Sequence, residues 1–433
     1  MERLQSLTFM GAYPLNHYRM DNGLEALLVQ NPISPVAAYL THYSVGSASE
    51  GDGERGLAHF FEHMMFRETA TLKDGDFDRI MAEVGGVGLN AFTSYDTTAY
   101  HINVPAANLE RVIALEADRM VNLRLSSKLI EIERGAVLGE MNMYKDMPSE
   151  QLWNTLTAEA FAAHPYRHPV IGYTDQVRAF TDEDFRRFYQ AHYAPNRAVV
   201  VVAGGFDEAA LLEELERVYG ALEPGAPRPT ALPPDAPWAE SRRVEIRHEK
   251  TSTEYLMLAW RAPGLTHADL PALVLLCAVL AAGHSSPLHR AIVLAGLGTQ
   301  AGAFTMDAEM MLASPALLLI DVALQHGVAS ERAEAAVERV LSELRREGIA
   351  PEAIERARNQ VRLSAYSGLR TNMSLARQVG GCAVACGDPC FGEKLLDALG
   401  RVSRDDMMAA LEQYVSGAPR LTVIQRPGNG VGA

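Results

Sequence analysis

Two stretches of this chain, 222 residues apart, follow one pattern, and that repetition constrains the fold more than any other feature. Thr181-Asp-Glu-Asp184 opens a helical run to Tyr193, followed by Ala194-Pro-Asn-Arg197 and the apolar Ala198–Ala203. Ser403-Arg-Asp-Asp406 opens a second run to Tyr414, followed by Gly417-Ala-Pro-Arg420 and Leu421–Ile424. Both starts have the Ser/Thr-x-x-acid form of a capping box, in which a hydroxyl and a carboxylate satisfy amides that a first helical turn leaves free. So long an offset excludes a solenoid and predicts a duplicated domain. A chain of 433 residues also exceeds what one hydrophobic core holds. Near mid-chain, Glu223–Pro237 carries six prolines, which forbids helix or central strand and suits an extended connector. The expected division is residues 1–222, a linker over 223–240, and a homologous second domain over 241–433.

Within each half, short strand-like runs alternate with helical ones. Leu24–Val29, Val36–Tyr43 and Thr98–Val104 read as strands, and Ala106–Asn122 and Ser127–Tyr144 carry helical apolar spacing. In the second half Glu254–Trp260 and Ala316–Val322 read as strands, with Ser330–Arg346 an amphipathic helix. This order predicts an α+β protein of two homologous α/β domains, each a mixed or antiparallel sheet with helices on one face.

Charge and composition exclude several classes. A net charge of −15 argues against nucleic acid as a partner, since binding phosphates needs clustered Lys and Arg. The apolar Leu270–Ala282 is too short to span a bilayer and reads as a buried helix, so no membrane partner is expected. The N-terminus, with Glu2, Arg3 and Gln5, lacks the apolar run of a signal peptide, and the expectation is cytoplasmic residence. Cys382, Cys386 and Cys390 match no zinc or iron–sulfur spacing and, with Cys277, read as free thiols.

The chemistry is concentrated in His59-Phe-Phe-Glu-His63. On a helix, positions i and i+4 share a face, so both imidazoles can point at one ion, with Glu62 beside it to hold a water. This is the inverzincin order of the zinc-hydrolase motif. Catalytic zinc wants three protein ligands and one open position, so a further ligand must lie elsewhere. Glu133 and Glu140 lie two helical turns apart in Glu131–Glu140 and project on one face. Either could ligate while the other orients a ligand, and geometry alone leaves both open. Gly135 and Gly139 each weaken that helix by about 1 kcal/mol relative to Ala. Their lack of side chains would let a neighbouring helix approach closely.

These residues resemble the insulinase/pitrilysin-type zinc peptidases, in the branch that includes the mitochondrial processing peptidases. The 77-residue spacing from His63 to Glu140 matches the family's ligand glutamate, and Glu133 matches a further family glutamate seven residues earlier. Gly56-Leu-Ala-His59, Asn90-Ala-Phe-Thr-Ser94, His164-Pro-Tyr166 and Tyr193-Ala-Pro-Asn196 are also similar, and the likeness is looser in Gly283–Leu288 and Gly296–Gly298. The resemblance implies one Zn2+ held by His59, His63 and Glu140, with Glu133 behind them and Glu62 as general base. It implies a zinc-activated water, and an edge strand at Asn90 and Ala91 that pairs with an extended peptide substrate. It further implies that the two domains form half of a clamshell. Self-sufficient members carry an Arg and a Tyr in a second-half motif. Here Val293 and Thr299 fall near those positions, which implies a homologous zinc-less partner subunit carrying the pair.

Two other functions fit less of the sequence. A catalytically silent scaffold subunit would be expected to have lost a ligand or the base, and none is missing. A zinc amidase on the same ligands would not need the edge strand. Among the remaining candidates, His164 and His168 flank a proline and read as turn or packing residues. No role is assigned to His284 or His289, and Met306–Met311 reads as core or interface.

Overall fold

The computed structural model describes residues 1–226, 232–306, 310, 312–313 and 316–428. Part of the proline-rich connector and most of Met306–Met311 therefore lie outside the described residues. Strand pairing yields two sheets and the chain separates into two compact units. The first unit comprises Met1–Met141, His168–Leu232 and Gly368–Glu393. The second comprises Asn142–Arg167, Pro233–Ser367 and Lys394–Ala433.

The first sheet contains β1 (Glu2–Phe9), β2 (Tyr13–Arg19), β3 (Glu25–Gln30), β4 (Val36–Tyr43), β5 (Val87–Thr93), β6 (Thr98–Pro105) and β7 (Ala198–Gly204). Their order is β1-β2-β3-β7-β4-β6-β5. Only the β3–β7 pair is parallel among these strands. The Val-rich β7 lies at the centre and is buried along its whole length, as an apolar run with both faces covered must be. One face carries the helices Leu57–Met64, Leu109–Asn122 and Asp182–His192, the last opened by the expected Thr181/Asp184 capping box. Alternate residues, among them Leu27, Leu40 and Val201, face the other way and pack on Leu375, Ala376 and Val379 of the helix Asn372–Cys386.

The second sheet contains β8 (Arg242–His248), β9 (Tyr255–Ala262), β10 (Gly298–Thr305), β11 (Ala316–Leu324) and β12 (Arg420–Pro427), in the order β10-β11-β9-β12-β8. Only β8–β12 is parallel among these strands. Laid against β5-β6-β4-β7-β3 of the first sheet, the order and directions are the same, which is the duplication that the capping boxes announce. Both edge strands also start with a pairing irregularity, at Val87/Asn90 and at Gly298/Gln300. The core face packs on the buried helix Leu270–Ala281, on Ser330–Glu347 and on Arg404–Tyr414, the last opened by the Ser403/Asp406 box. On the opposite face, Gln425 of β12 donates to the Pro148 carbonyl at the start of the helix Pro148–Ala160. Among the described residues, no helix is long and apolar enough to cross a membrane.

Candidate metal centre

The helix Leu57–Met64 is short, and its position is imposed from outside. Gly56 precedes it at φ +106°, where a Cβ would sit 2.7 Å from the Ile171 carbonyl, so only glycine admits this approach. The buried Glu50 carboxylate accepts from the Gly56 and Ala58 amides at 2.9 and 2.8 Å, which satisfies donors that the first turn leaves free. Phe60 and Phe61 pack on Phe185, and Phe61 also on Phe188, Tyr189 and Tyr193. With those faces fixed, His59 and His63 project together, their ring centroids 5.0 Å apart.

Glu140 reaches the same point from the helix Ser127–Lys145. Its Oε2 lies 3.5 Å from His59 Nε2 and 3.3 Å from His63 Nε2. One ligand atom from each of the three residues falls within 4.8 Å of the others, and no other such group of His, Cys, Asp or Glu occurs among the described residues. Glu133, two turns earlier on the same helix, meets the opposite nitrogen: its Oε2 is 3.1 Å from His63 Nδ1. The Arg67 guanidinium in turn binds Glu133 and, at 3.2 Å, Asp74. In space, Glu140 stands with the imidazole pair, whereas Glu133 meets the far side of the His63 ring. Gly135 and Gly139 play a different part from the one expected. Both face open space, with no atom within 4 Å of where a Cβ would sit, because the buried face of this helix is the one with Glu133 and Val137.

The donor set fits zinc, which takes His nitrogen and carboxylate oxygen in a tetrahedral shell. Burial pushes the His59 pKa down to about 4, so the ring is neutral at pH 7. Burial also lowers His63, but hydrogen bonds and charge from Glu133 and Glu140 outweigh it and push its pKa up to about 9. Two carboxylates around this ring thus favour a positive charge between them. Glu133 at Nδ1 leaves Nε2 turned toward Glu140, the carboxylate–histidine arrangement that orients a metal ligand.

Glu62 lies beside this cluster. Burial raises its pKa, opposed by a hydrogen bond from Thr93 Oγ1 to its Oε2 at 2.6 Å. Asn90, exposed, and Ala91, half-buried, lie on β5, beside which no further strand runs among the described residues. Thr93 carries no expectation from the sequence, although it lies within the Asn90–Ser94 stretch that does.

Two family models cover much of this chain. The insulinase (peptidase family M16) model matches residues 26–174, and the model described as the peptidase M16 inactive domain matches 179–361. The chain belongs to the insulinase-type M16 peptidase family. A zinc protease of Helicobacter pylori is 32% identical over 256 residues, which cover 58% of this chain and 57% of that protein. The aligned region is thus little more than half of that relative's length. An uncharacterized zinc protease of Streptomyces coelicolor is 28% identical over 396 residues, 88% of this chain and 83% of that one. The crystal structure of a protease from Helicobacter pylori superposes with a TM-score of 0.87 at 25% identity, covering 95% of this chain and 99% of that chain.

The other sequence candidates lie elsewhere. His164 is buried against Phe161 and Tyr166, and His168 bonds the Tyr173 hydroxyl at 2.9 Å. His284 and His289 face each other in the second unit at 3.3 Å. Val293 packs against the second core, and Thr299 is exposed at the start of β10. None of the four cysteines is in a disulfide, and all but the half-buried Cys386 are buried.

Proposed function

We propose that this chain is a zinc-dependent endopeptidase acting on extended, short or unfolded peptides. The observation that carries the reading is the convergence of His59, His63 and Glu140 beside the half-buried Glu62, next to the edge strand β5. His59, His63 and Glu140 would hold one Zn2+, with Glu133 orienting His63. A bound zinc supplies a Lewis acid that lowers the pKa of a water and polarises the scissile carbonyl. Ala91 by its main chain and Asn90 by its exposed side chain would receive the peptide, and strand pairing tolerates many sequences because the backbone provides much of the affinity. Glu62 takes a proton from the attacking water as its oxygen bonds to the carbonyl carbon. Glu62 then delivers that proton to the amide nitrogen as the C–N bond breaks.

Val293 and Thr299 stand in the sequence near the positions of the family's Arg/Tyr pair, which supports a need for a homologous zinc-less partner subunit. A silent scaffold subunit is the second reading, and the same departure favours it. Zinc content and cleavage of a quenched peptide, with and without a chelator and a homologous partner, separate the two. The expected result is one zinc per chain and chelator-sensitive cleavage. Glu62→Gln should retain zinc and lose turnover by about 10²- to 10⁴-fold. Absence of zinc, with the ligands intact, would sink the reading.

A further inference from the structure

β5 ends beside Glu62, and its last residues alternate in the direction they turn. Ser94 N–H bonds the Thr97 carbonyl at 2.8 Å, so in the alternating antiparallel ladder Phe92 and Asn90 point toward β6. Ala91 and Thr93 therefore turn their main-chain groups outward. The Ala91 amide donates to Asn90 Oδ1 at 2.9 Å, an exposed side chain that a peptide carbonyl can displace. The Thr93 hydroxyl donates to Glu62 Oε2 at 2.6 Å. On the opposite face of the strand, Phe92 is pinned under the Arg377 guanidinium, 5.3 Å from its ring, and against His42. The end of β5 is thus braced from both sides.

We propose that Thr93 is a positioning residue that fixes the Glu62 carboxylate to the end of the edge strand, so that the base and the strand receiving the peptide form one rigid piece. This rests on the peptidase reading and deepens it. Oriented placement of this kind is worth orders of magnitude in rate, since a displacement near 1 Å costs about 10²-fold.

The test compares Thr93→Val, which keeps the shape and removes the hydroxyl, with Thr93→Ser, which keeps it. Expected for Thr93→Val is a kcat lower by about 10- to 100-fold with KM, zinc content and thermal midpoint unchanged, and recovery of most of the rate in Thr93→Ser. Affinity of the zinc-free protein for a short, unstructured fluorescein-labelled peptide should be equal in all three. Full kcat in Thr93→Val, or peptide affinity falling in step with the rate, overturns the proposal. Should the zinc-loaded wild type, with partner, cleave no peptide, the peptidase reading falls by itself. Crystal structures of the two variants then decide the role of Thr93. A Glu62 carboxylate displaced in Thr93→Val and retained in Thr93→Ser supports it, and one unmoved in Thr93→Val overturns it.

Discussion

The helix Leu57–Met64 of the first unit and the helix Leu270–Ala281 of the second follow equivalent strands, β4 and β9, in sheets of the same order. The first places two histidines and a glutamate among its apolar residues, and Glu50, Gly56 and an aromatic cluster hold it. The second is apolar on every side, as a helix buried all round must be, and carries no ionisable group other than the Cys277 thiol. The same scaffold therefore supports either a polar site or a plain core. What differs is whether neighbouring elements supply partners for buried polar atoms. Glu140, Glu133 and Thr93 do so for the first helix.

That contrast yields graded predictions. In the second unit, Leu276→Ala removes a fully buried side chain from the core and should cost about 2–5 kcal/mol on the usual scale for buried leucines. Calorimetry should show this loss with zinc uptake unchanged, because the ligand set lies in the first unit. A fall in zinc affinity alongside it would break the separation. In the first unit, Glu133→Gln should weaken zinc binding by about 10- to 100-fold, measured by chelator competition, while the fold persists. Unchanged affinity would mean that Glu133 serves only to neutralise Arg67.

A further expected effect is on acid stability. Burial, together with the charge of Arg377, lowers the His42 pKa to about 3 and that of His101 to about 4. Both folded values lie below the unfolded value near 6.5, so the unfolded chain binds these protons first. Their contribution is complete above about pH 6.5 and is lost progressively as pH falls toward 4. His42→Phe should flatten that part of the stability-against-pH curve for the first unit. A curve of unchanged shape would show that His42 titrates freely.

Much of the site was legible because zinc chemistry imposes local spacing. His59, Glu62 and His63 follow from the helical period, and Glu133 and Glu140 from a seven-residue step. Thr93 was not legible, since its hydroxyl gains meaning only when β5 runs past Glu62. The exposed Gly135 and Gly139 misled for the same reason: which face of a helix is buried depends on what packs against it.

The sequence by itself determined the duplication and the zinc-motif helix, because capping boxes and helical periods act within a few residues of chain. Only the tertiary structure decided how the halves exchange material. The Gly368–Glu393 segment closes the free face of the first unit's sheet, and Asn142–Arg167 belongs to the second. It also decided which glutamate joins the histidines. Those outcomes depend on burying apolar faces against partners far apart in the chain, and no local pattern records which partner that will be.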